Sequence, residues 1–80
     1  MILMIYSQIG LINMNELLLT REFFTKESIR KGCIDFKGLA DISIVENENY
    51  YKIRFNNCIY PVIITMQEFE NYVIGLMVKR

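Results

Sequence analysis

The segment between Ala40 and Asn56 constrains the fold of this chain more than any other. ADISIVE, residues 40–46, places Ile42 and Ile44 on one side of an extended backbone. The polar trio Asn47, Glu48 and Asn49 then interrupts the pattern, and YYKIRFN follows. In that second run Tyr51, Ile53 and Phe55 alternate with Tyr50, Lys52 and Arg54, the two-residue period of a sheet with one wet face. Two such runs joined by three polar residues predict a β-hairpin. A hairpin alone is marginal in water, so its apolar face must be covered from elsewhere in the chain.

Two helical patterns can supply that cover. In TKESIRKGCIDFKG, residues 25–38, Thr25 is a suitable cap, Glu27 sits in the first turn, and Gly38 suits a left-handed stop. Ile29, Cys33 and Phe36 are spaced four and three apart and share a face, whereas Lys26, Arg30, Lys31 and Lys37 fall largely on others. Gly32 costs this helix about 1 kcal/mol relative to alanine. It either permits close approach of a strand or is simply tolerated. The second helix is expected to open at Thr65, with Glu68 completing a capping box. Met66, Phe69, Val73, Leu76 and Met77 make its apolar stripe, and Gln67, Glu70 and Asn71 face out.

The remaining segments read as extended. Glu16 to Thr20 (ELLLT) is a short strand, and residues 1–6 are apolar on both faces, as in a covered strand or one pairing with another chain. CIYPVIIT, residues 58–65, is β-branched, but Pro61 cannot donate to a ladder, which predicts an edge strand or an extended connection. The sum is one α+β domain over residues 1–80, with the order β-α-β-β-(β)-α and both helices packed on one face of a small antiparallel sheet. Residues 1–13 form an apolar extension, dispensable if translation begins at Met14.

Composition narrows the function. Nine Lys and Arg balance nine Asp and Glu, which argues against nucleic acid as the main partner. No histidine is present, so the commonest general base and metal ligand is missing. Cys33 and Cys58 make no CxxC motif and read as buried apolar residues of a reduced, cytoplasmic protein. The opening run lacks a basic start and a cleavage site and is shorter than the roughly 20 apolar residues that cross a bilayer. No glycine-rich phosphate loop, carboxylate pair or metal cluster stands out. The expectation is a protein that is not an enzyme and carries no cofactor or metal.

Apolar residues with glycine make up 41 of 80 positions, a rich share for a domain that buries only about 60% of its surface. Part of that surface is therefore expected to meet a partner. Tyr50 and Tyr60 are candidate anchors, because tyrosine joins a large contact area to a polar tip. The edge around Pro61 is a candidate for strand addition, and Ile2, Met4 and Tyr6 are candidates on the N-terminal strand. Arg21, Lys26, Arg30, Lys31 and Lys37 either form a solvated helix face or offer a landing surface for an acidic peptide.

The run FFTKESIRKGCIDFKGLADISIVENENYYKIRF resembles the first half of the small D component of the His-Xaa-Ser peptide-maturation system, the HxsD family. Phe24, Thr25, Ile29, Cys33 and Phe36 stand where that family has an aromatic, a cap, and a helix of Ile, small residue and aromatic. EFENYVIGLMVKR is similar to the family's closing helix through Phe69, Asn71, Tyr72, Ile74 and Arg80. The likeness covers about residues 17–80, with Gly32 and Cys33 replacing the usual alanine pair. It implies an accessory protein of a radical S-adenosylmethionine (radical SAM) system that holds a ribosomal precursor peptide or docks on the maturase. The competing expectation is a self-associating module, a homodimer paired through residues 1–6.

Overall fold

The computed structural model describes residues 15–78. In chain order they form β1 (Glu16–Thr20), α1 (Lys26–Asp35), β2 (Asp41–Glu46), β3 (Tyr50–Asn56) and α2 (Val62–Val78). The strands make a three-stranded antiparallel sheet in the order β1-β3-β2. The hairpin is present as expected, with Ile42 opposite Phe55 and Ile44 opposite Ile53. Asn47 closes it: its Oδ1 accepts from the amides of Asn49 and Tyr50 at 2.8 and 2.9 Å. β1 lies against the other side of β3, with Leu17 opposite Ile53 and Leu19 opposite Tyr51.

One face of the sheet carries the core. Leu17, Leu19, Tyr51, Ile53 and Phe55 are all buried there, and Ile42 and Ile44 are half-buried against them. Both helices supply the other half, α1 through Ile29 and Phe36 and α2 through Met66, Phe69 and Val73. Phe69 is the hinge of this packing, meeting Phe36 and Phe55 edge-to-face at 5.3 and 5.2 Å, a favoured aromatic arrangement. On the opposite face of the sheet, Arg54 donates from Nε and Nη2 to Glu16 Oε2 at 2.9 and 2.5 Å.

The helix ends depart from expectation in instructive ways. Thr25 caps α1 as anticipated, its Oγ1 accepting the Ser28 amide at 3.2 Å. At the other end α1 stops at Asp35, and among the described glycines none has positive φ, so Gly38 is no left-handed cap. The chain instead tightens over Phe36, whose carbonyl accepts from the Leu39 amide at 2.8 Å. That turn lets Phe36 drop its ring onto Phe69. The left-handed position falls later, at Asn57 with φ 52°, where Nδ2 donates to Asp41 Oδ2 at 2.7 Å.

The larger correction concerns residues 58–65. No strand forms there among the described residues. Residues 57–61 are irregular and α2 begins at Val62, one turn earlier than the sequence pattern suggested. Pro61 explains the shift, because a helix start has no use for the amide hydrogen that proline lacks. The Pro61 carbonyl accepts from the Thr65 amide at 3.0 Å and from Thr65 Oγ1 at 3.1 Å. Thr65 therefore sits buried inside the first turn, and the Thr65–Glu68 capping box does not form. The helix penalty of Val62, Ile63, Ile64 and Thr65 amounts to a few tenths of a kcal/mol each, well below what burying Met66, Phe69 and Val73 returns.

Glu70 is a further correction. Expected to face water, it is only 5% exposed. Its Oε2 is buried without a hydrogen-bond partner. Leu76 and Met77, expected in the buried stripe, are half-buried.

Candidate functional site

The tyrosines chosen from sequence do not converge. Tyr50 begins β3 and Asn56 ends it, which separates them by about 20 Å at 3.3 Å per residue. Tyr60 and Pro61 lie beyond the Asn56 end. Tyr50 is half-buried, whereas Tyr60 is 58% exposed and Pro61 is exposed. With Ile59, Ile63 and Ile64, Tyr60 gives the start of α2 an exposed apolar surface. Pro61 is on no strand edge, so it offers no ladder for strand addition. Ile2, Met4 and Tyr6, and the homodimer seam proposed for residues 1–6, lie outside the described residues.

What the fold does bring together is the open side of β2. Because β3 takes the middle of the sheet, β2 pairs on one side only among the described strands. A groove of about 400 Å³ runs between this strand and α1, walled by Cys33 and Ile34 on the helix, Lys37 and Ala40 in the connection after it, Asp41, Ile42 and Ser43 on the strand, and Asn56 at the end of β3. A second depression of about 430 Å³ lies on the other side of Ile34, along Lys26, Glu27, Arg30 and Lys31. Two features of the sequence produce this layout. The stripe Ile29, Gly32, Phe36 turns one face of α1 into the core, which leaves Ile34 outward at 70% exposure. The charged residues Asp41 and Glu46 bracket β2, and Val45 between them is 58% exposed.

The chemistry of these walls suits recognition. Cys33 is half-buried, and its apolar surroundings push the thiol pKa above its ordinary value, so it stays protonated and unreactive near neutral pH. Cys58 is also free and half-buried. At the far end of β2, Glu46 meets Lys26 Nζ at 2.7 Å and Arg21 Nη1 at 3.4 Å. The Lys26 hydrogen bond holds the Glu46 carboxyl below its usual value. On the outer side of the helix pair, Tyr72 donates to Asp35, and this bond raises the Tyr72 hydroxyl.

Glu70 lines neither groove. Burial raises its carboxyl to about 7. Among the described residues no group of three or more Cys, Asp and Glu side chains is placed to hold a metal ion. No described helix is long and apolar enough to cross a membrane. No family model, curated protein or solved structure matches the chain.

Sequence reasoning placed a candidate edge at Pro61, which lies on no strand; among the described strands β2 is one of the two at the margin of the sheet. The signal for β2 was present in the half-polar DISIVE pattern, which fits a strand at the margin of a sheet. What the pattern could not supply was the order β1-β3-β2, because that depends on β1 pairing with β3, the strand farther from it in sequence.

Proposed function

We propose that this protein is a binding module without catalytic activity of its own, which accepts an extended peptide segment along the free edge of β2. The observation that carries the reading is the pairing of an open strand edge with an adjacent apolar groove. A peptide added there would gain main-chain hydrogen bonds from the strand and place alternate side chains against α1. The absence of histidine from the sequence and the protonated state of Cys33 favour binding over covalent chemistry.

The resemblance to the HxsD family supplies the proposed context, a cytoplasmic accessory role in radical SAM peptide maturation. The segment held would be part of a ribosomal precursor peptide or of the maturase itself, and any iron–sulfur chemistry would belong to that enzyme. Neither nucleic acid nor a membrane is needed as a partner.

Hydrogen exchange tests the edge directly. In the free protein the β2 amides that do not pair with β3 exchange rapidly. On titration with peptides spanning a precursor peptide, they become protected while the β1 and β3 amides change little. Protection confined to the start of α2, around Tyr60 and Ile63, would overturn the assignment of the edge. Calorimetry showing no heat with peptide or maturase at micromolar concentration would overturn the binding role.

A further inference from the structure

Seven lysines and arginines fall among the described residues, and five of them are in ion pairs. Arg21 and Lys26 meet Glu46, Lys31 meets Asp35, and Lys52 and Arg54 meet Glu16. The other two are Arg30 and Lys37. Both are exposed, and neither is in an ion pair among the described residues. Arg30 precedes Ile34 by one turn of α1, and Lys37 follows Ile34 in the turn just past the helix end. Ile34 is a wall of both grooves, Arg30 of the outer one and Lys37 of the one against β2.

A single exposed isoleucine means little, and so does a single surface cation. Here the two cations left unpaired bracket the most exposed large apolar side chain described, at the mouth of the groove beside an open strand. Resting on the strand-addition reading above, we infer that the peptide recognised at β2 is acidic and follows the pattern acid–x–apolar–x–acid. Arg30 lies inside α1 and Lys37 two residues past its end, seven positions on in sequence. In an extended peptide, residues i, i+2 and i+4 share a face, and the outer two are about 13 Å apart. The long, flexible arginine and lysine arms let the two cations reach carboxylates at that separation. The central apolar side chain then packs on Ile34 and Cys33, and each carboxylate meets one cation.

Three acids lie near this surface, and Glu27 lines the outer groove beside Arg30 without an ion pair to it. Asp35 is held by Lys31 and Tyr72, and Asp41 accepts from Asn57. The chain has zero formal charge, so attraction is local to this surface. Two free cations are too few to neutralise a nucleic-acid backbone, which separates this surface from a polyanion site.

Fluorescence anisotropy with three labelled peptides provides the test: Asp-Xaa-Leu-Xaa-Asp within a neutral frame, the same with both Asp changed to Asn, and the same with both changed to Lys. Two exposed ion pairs predict that the acidic peptide binds about tenfold more tightly than its amide counterpart, with the advantage shrinking as salt rises. The double variant Arg30→Glu, Lys37→Glu, with its fold checked by circular dichroism, is expected to reverse the preference toward the lysine peptide. Equal binding of the acidic and amide peptides, with β2 amides still protected, would overturn the acidic pattern and leave the strand-addition reading standing. No binding and no protection with any peptide would sink both. A single-stranded oligonucleotide that binds as tightly as the acidic peptide would show a general anion surface instead.

Discussion

An added Cβ at Gly32 would stand 2.9 Å from Val73 Cγ2 and 3.1 Å from the Phe69 ring. Both neighbours belong to α2 and both are fully buried. The glycine thus sets how closely the two helices approach, and the close partner is a helix where the sequence suggested a strand. Valine has little rotamer freedom to move aside, and Phe69 is clamped between Phe36 and Phe55. Gly32→Ala gains about 1 kcal/mol of helix propensity but overpacks a tight contact that costs about 1–3 kcal/mol. The expected outcome is a net loss near 1 kcal/mol, read as a lower urea midpoint with an unchanged slope. A variant more stable than the parent would show that α1 and α2 can part freely. Nothing local to Gly32 announces this role, because it exists only where α2 crosses. Ile29, Cys33 and Phe36 were legible by contrast, since their spacing alone puts them on one face.

Elements were legible wherever their boundaries rest on neighbouring residues. Thr25 caps α1 because its hydroxyl reaches the Ser28 amide three positions on, a contact written in local sequence. α2 was misplaced at its start because Thr65 and Glu68 have the spacing of a capping box while Pro61 offers an earlier opening. Paired substitutions separate the two helix starts. Thr25→Ala is expected to lower stability by about 1 kcal/mol, the usual cost of losing a cap. Glu68→Ala is expected to stay within about 0.5 kcal/mol of the parent, as for an exposed residue that holds no cap. Chemical denaturation of both variants checks the contrast. A loss at Glu68 equal to that at Thr25 would mean that the capping box forms after all.

At the scale of the whole molecule, the α+β class and the hairpin could be read from periodicity, but the central place of β3 could not. That place depends on β1 pairing with β3 across more than thirty residues of sequence, from Glu16 to Arg54. The edge of β2 that the described strands leave unpaired, and with it the candidate site, follows from that long-range choice. The burial of Glu70 has the same origin: on α2 taken alone, the position reads as solvent-facing. Its carboxyl is raised from 4.5 to about 7 by burial, so the folded state holds this proton more tightly than the unfolded chain. Stability from this group is therefore greatest below about pH 4.5 and falls as pH rises toward 7, the reverse of a salt-bridged carboxylate. The shift of roughly 2.5 units sets a ceiling of about 3 kcal/mol on that fall. Glu70→Gln keeps the shape and removes the titration. Urea unfolding at pH 5 and pH 8 should show the parent chain losing stability between the two values and the variant losing much less. The two proteins should differ most at pH 8, where Glu70 must carry its charge without a partner for Oε2. If the parent is equally stable at both values, or the variant keeps the full slope, Glu70 is not the group that ties this fold to pH.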